Sequence, residues 1–74
     1  GLVMMENPLH DDLLIGAAAI ADFIYGSTEY KYQRRVYYLT TQSKRRLPWF
    51  RLGSQIAARR SSIMTWIEAQ EGWR

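Results

Sequence analysis

The chain is 74 residues long, with ten Lys/Arg, seven Asp/Glu, one His and no Cys, for a net charge of +3. Without cysteine it has neither disulfides nor thiolate metal ligands, and a single histidine, His10, excludes most histidine-based catalytic or metal constellations. A chain of this length makes one small domain that buries roughly 60% of its unfolded surface, too little for an elaborate catalytic cleft. No nucleophile–base set is present, so neither an enzyme, a cofactor nor a small-molecule substrate is expected.

The charge is unevenly spread. Between Glu29 and Arg60 stand nine of the ten basic residues and one acid, a local charge of +8, whereas the remainder sets Arg74 against Glu6, Asp11, Asp12, Asp22, Glu68 and Glu71, or −5. A solvated surface usually mixes both signs; this partition points to a polyanionic partner. The longest apolar stretch, residues 13–21, is too short to span a bilayer and follows no basic region, so neither a membrane span nor a secretory signal is expected. The expected location is the cytoplasm, on the nucleoid if the polyanion is DNA.

Residues 1–10 lack periodicity and contain Pro8; they read as a flexible tail, leaving 11–74 as the domain. Asp11 or Asp12 can cap a first helix, with Leu13, Ala17, Ile20, Phe23 and Ile24 at helical spacing and small alanines that admit a close neighbour. Gly26 ends it. Ser27 and Thr28 are cap candidates for a second helix, which begins near Glu29 or, if residues 27–31 form a longer turn, near Tyr32. Its core stripe is Tyr32, Val36, Leu39 and Ser43, and the opposite face carries Arg34, Arg35, Tyr38, Thr41 and Gln42. One of Tyr37 and Tyr38 is expected inside, with the helical phase favouring Tyr38 and Thr41 outward.

Lys44, Arg45 and Arg46 follow at the helix C-terminus, where cations are favourable, though three exceed what capping requires. Pro48 forbids continuation. Two extended runs, residues 47–52 and 55–59, flank Gly53-Ser54 and predict a hairpin. Its register stays open: a two-residue turn does not bring Phe50, Leu52, Ile56 and Ala58 to one face, and a slightly longer loop would. Ser61 or Ser62 caps a third helix with Ile63, Trp66, Ile67 and Gln70 on one side. Trp49, Phe50 and Trp66 are assigned to packing.

Helix, turn, helix, basic hairpin, helix predicts a mainly α fold with a small β-hairpin, the order of a winged helix-turn-helix. In that architecture the second helix enters the DNA major groove and the hairpin lies along the backbone or minor groove. The +8 segment covers those same two elements. Arg34, Arg35, Tyr38, Thr41 and Gln42 are therefore the candidate recognition-helix contacts, and Lys31, Lys44, Arg45, Arg46, Arg51, Arg59 and Arg60 the candidate phosphate and wing contacts. Arginine makes bidentate bonds to guanine edges worth about 1–3 kcal/mol of discrimination.

The same residues carry a family resemblance. Leu14-Ile15-Gly16-Ala17-Ala18-Ala19-Ile20-Ala21 is similar to the first helix of MerR-like excisionases and AlpA-type regulators, and Arg35-Val36-Tyr37-Tyr38-Leu39 to their recognition helix. Leu47-Pro48-Trp49-Phe50-Arg51-Leu52-Gly53 resembles the start of their wing. Ala58-Arg59-Arg60-Ser61-Ser62-Ile63 with Trp66-Ile67 resembles the wing exit and last helix. Relative to that family, Tyr30-Lys31-Tyr32-Gln33 adds about one helical turn, and the hairpin tip Gly53-Ser54-Gln55 lacks arginine. The resemblance implies an architectural double-stranded DNA-binding protein. Its role would be that of an excisionase, or recombination directionality factor, that bends DNA for a site-specific recombinase (integrase) excising a prophage or integrative mobile element. A small transcriptional regulator of phage or mobile-element genes is the alternative with the same fold. With one recognition helix and no heptad run after Trp66, copies are expected to associate side by side on DNA.

Overall fold

A computed structural model describes residues 8–72. Four helices and a three-stranded antiparallel sheet make a mixed α/β domain: α1 (Leu9–Asp12), β1 (Leu13–Ile15), α2 (Ala17–Tyr25), α3 (Tyr30–Thr41), β2 (Phe50–Leu52), β3 (Gln55–Arg59) and α4 (Arg60–Glu71). The strand order is β1-β3-β2, so the expected hairpin is present and carries a third strand beside it. Most of the tail expectation falls on residues 1–7, outside the described residues; Leu9 and His10 belong to α1.

That third strand corrects the reading of the first helix. Residues 13–15 do not join the helical stripe; they pair with β3, Leu13 opposite Arg59, Leu14 opposite Ala58 and Ile15 opposite Ala57. The break comes at Gly16, whose φ of +91° is open to glycine and strained for other residues. Its N–H donates to the Ile56 carbonyl at 2.7 Å before the chain turns into α2. At the other end Gly26 is left-handed (φ +75°) and its N–H closes on the Asp22 carbonyl, as expected of a C-terminal glycine.

Ile20, Ala21, Val36, Leu47 and Ile63 form the centre of the core, with Leu14, Ala17 and Ala58 beside them. Ala21 lets α3 approach α2 closely, as the alanine-rich run suggests. Phe23, Ile24, Trp66 and Ile67 pack around this centre, whereas Gln70 is exposed rather than part of the α4 stripe. Leu47 is pinned by its N–H, which donates to the Leu39 carbonyl at 3.0 Å.

The hairpin turns on Gly53-Ser54 alone, pairing Leu52 with Gln55, Arg51 with Ile56 and Phe50 with Ala57. With period two, Leu14 and Ala58 face the core, while Ile15, Phe50 and Leu52 point outward. Phe50 is thus an exposed residue, not a core one, and the four apolar residues are divided as the short turn dictates.

Neither Asp11 nor Asp12 caps the helix it was expected to cap, and neither Ser61 nor Ser62 caps α4. Instead the Asp12 carboxylate reaches across to the first turn of α4. It accepts the Ser61 N–H at 2.9 Å, the Ser61 hydroxyl at 2.7 Å and the Arg59 Nε at 2.9 Å. The orphan N–H at a helix start is thereby satisfied by a residue 49 positions earlier. These bonds, the Ser61 hydroxyl foremost, hold the Asp12 carboxyl below its ordinary pKa. A lowered folded-state value means stabilisation present above the ordinary carboxylate range and lost as pH falls through the folded value. Asp12→Ala is therefore expected to melt at a lower temperature than the wild type at neutral pH, with the two curves converging in acid. Parallel thermal melts across pH check this; a gap that is independent of pH would contradict it.

Candidate nucleic-acid interface

Helix α3 begins at Tyr30, with Glu29 as its N-cap residue, which selects the earlier of the two starts. Residues 26–29 make the connection from α2, braced by the Glu29 N–H donating to Ser27 Oγ and by Gln33 Nε2 donating to the Thr28 carbonyl. Val36 and Thr40 are the buried residues of α3. Thr40 was not expected inside; its hydroxyl is satisfied by the Tyr37 carbonyl at 2.9 Å, so burying it leaves no polar group unpaired. Both Tyr37 and Tyr38 stay outside, 49% and 54% exposed, where one had been expected to turn in.

Opposite Val36 the helix presents Arg34, Arg35, Tyr38, Thr41 and Gln42, all exposed. Lys31, Arg34, Arg35 and Tyr38 surround one shallow depression of about 340 Å³. Rings order these cations. Arg34 lies 5.9 Å from the Tyr30 ring centre, Lys31 Nζ 5.1 Å from Tyr32, and Arg35 5.6 and 5.9 Å from Tyr32 and Tyr25. Tyr25 and Tyr32 are themselves stacked at 5.1 Å, joining the end of α2 to the start of α3.

A second groove, about 490 Å³, runs between the start of α2, α3 and the hairpin. Gly16 and Ala18 line it from α2, Gln33 and Tyr37 from α3, and Arg51 and Gln55 from the strands. Arg51, 5.9 Å from the Trp49 ring, thus shares a concave surface with α3. Gln33, Tyr37 and Gln55 are groove residues missing from the candidate set. Their signal is weak in sequence, being polar side chains of no net charge, with only Gln55 placed by the strand register.

The remaining candidates divide. Lys44, Arg45 and Arg46 are exposed in the loop after α3, where Ser43 Oγ bonds the Arg45 backbone. Arg59 and Arg60 line neither groove and are held within the fold: Arg59 by Asp12, and Arg60 by the Asp11 carbonyl at 3.0 Å and by the Phe23 ring at 5.4 Å. The basic segment of the sequence therefore divides into cations presented on α3, on the loop after it and on β2, and a pair, Arg59 and Arg60, closing α4 onto α1.

No family model matches the chain, and no curated protein or solved structure is significantly similar to it. Among the described residues no group of three or more His, Asp or Glu is placed to hold a metal ion, and no helix is long and apolar enough to cross a membrane.

Proposed function

We propose that this chain binds double-stranded DNA as a winged helix-turn-helix, α3 entering the major groove and the β2–β3 hairpin serving as the wing. The observation that carries the reading is the presentation of exposed cations by two separate elements, at depressions on either side of α3. Lys31, Arg34 and Arg35 on α3 surround one depression with Tyr38, and Arg51 on β2 lines a second between α3 and the hairpin, while Asp12 is engaged with Arg59 and the start of α4. Helix α3 and a flanking hairpin suit groove entry with contacts to the adjoining phosphates.

The half-buried Trp49 and Trp66 pack against the core, which disfavours a single-strand binder relying on tryptophan stacking. Within the duplex reading, the chain's role is that of an excisionase or recombination directionality factor: a binding protein, not an enzyme, whose copies favour a bent path for a recombinase. Bending a site of 20–30 base pairs costs of order 1–6 kcal/mol, to be offset by contacts the bend permits.

Titration of duplex DNA across salt concentrations tests the binding step. With about five phosphates neutralised, log K is expected to fall against log salt with a slope near −4.5. A slope near zero would remove the duplex reading. Excision by the element's integrase with and without this chain tests the role; an integrase that excises equally well alone would leave a DNA-binding protein with another task.

A further inference from the structure

We propose that Tyr30 and Arg34 are the base-reading pair of α3, recognising a guanine with a thymine one or two steps away, while Arg35 grips the DNA backbone. The proposal rests on the duplex reading above and divides two arginines that sequence alone treats alike. Val36 and Thr40 mark the buried side of α3. At about 100° per residue, Arg34 lies roughly 140° from the midpoint of Val36 and Thr40, with Tyr30 and Arg35 on either side of it at about 100° and 120°. Tyr30, four residues earlier, is Arg34's neighbour along the helix surface. It is 72% exposed, the most exposed large apolar or aromatic side chain among the described residues.

Arg35 is set apart by its contacts rather than by its helical phase. Its guanidinium rests near both rings of the Tyr25–Tyr32 stack, a platform that spans α2 and α3 and orients the cation before any ligand arrives. A cation held beside that stack suits a phosphate, which needs charge and position but no base-edge match. Arg34 instead lies along a single exposed ring. Its fork of N–H donors matches the O6/N7 acceptor pair of guanine, and the Tyr30 ring offers apolar contact to a thymine C5-methyl. Residues four apart on a helix are separated by about 6 Å along the axis, against about 3.4 Å per base step. Ring and fork therefore meet base pairs no more than two steps apart.

The test selects short duplexes from a random-sequence library with the full chain, then measures binding of the winning duplex by fluorescence anisotropy. Winners are expected to share a guanine with a thymine within two steps. Placing 7-deazaguanine at that guanine is expected to weaken the wild type by about 5- to 150-fold and leave Arg34→Ala unaffected. Uracil in place of the thymine is expected to weaken the wild type and leave Tyr30→Ala unaffected. Arg35→Ala is expected to lose affinity equally on winning and scrambled duplexes. Both reading side chains are exposed, so the variants keep the wild-type far-UV circular dichroism. Winners without that guanine–thymine pair overturn the pair and leave duplex binding standing. So does an Arg34→Ala variant that still senses the guanine N7, or a Tyr30→Ala variant that still senses the methyl. Failure to retain any duplex overturns both readings.

Discussion

Replacing Lys31, Arg35 and Arg51 together with alanine is expected to cost the chain on the order of 500-fold in duplex affinity at 0.1 M salt, on specific and random sequences alike. Each neutralised phosphate contributes about 0.9 to the slope of log K against log salt, so three lost contacts flatten it by about 2.7. The three side chains come from α3 and β2 and lie at the two grooves. All are exposed, and none closes an ion pair within the fold among the described residues. Removing Arg35 forfeits its contact with the Tyr25–Tyr32 stack, worth about 0.5–1 kcal/mol at an exposed site, which the domain tolerates. Arg59→Ala and Arg60→Ala provide the contrast: those side chains serve Asp12 and Asp11, so their loss is expected to lower the melting temperature more than the affinity. The check is one salt titration for each variant; an unchanged slope in the triple variant would mean that the duplex meets another face.

Ile20→Ala is expected to cost about 2–5 kcal/mol of stability, against a total of roughly 4–11 kcal/mol for a chain of 74 residues. Ile20 is fully buried at the centre of the core, between α3 and the sheet-bearing half of the molecule. Shortening it leaves a cavity that Ala17 and Ala21, being small and fixed on α2, cannot fill. A shift of the urea midpoint with unchanged m-value reads the effect. Leu52→Ala is the control: its side chain is 42% exposed on the outer sheet face, and the change is expected to stay within about 0.5 kcal/mol. Equal losses at the two positions would contradict this core.

What the sequence made legible follows from range. The face of α3 could be read from spacing alone, because residues three and four apart on a helix share a side whatever the rest of the chain does. Gly26 likewise declares its left-handed turn locally. Strand β1 could not be read this way: Leu13, Leu14 and Ile15 continue the apolar rhythm of the alanines after them, and only pairing with Ala57, Ala58 and Arg59 makes them a strand. Thr40 is buried and both tyrosines are exposed, because the threonine hydroxyl can be satisfied by a backbone carbonyl that spacing does not reveal. A charge census counted Arg59 and Arg60 with the binding cations, since their partners at Asp11 and Asp12 lie far back in the chain. Sequence therefore located the exposed basic helix and the hairpin, and the tertiary contacts separated presented cations from engaged ones.

The position of β3 has a consequence for how the domain forms. It is the middle strand, paired with β2 just before it and with β1 from far earlier in the chain, and it runs directly into the helix that Asp12 fastens. The hairpin can zip early because its loop is short, whereas β1 must wait for a long loop to close. Neither half of the polypeptide has a complete sheet by itself, so assembly should be a single all-or-none event. The amides hydrogen-bonded between β1 and β3 should then exchange with solvent deuterium through global opening, at matching free energies, although about 40 residues separate the two strands.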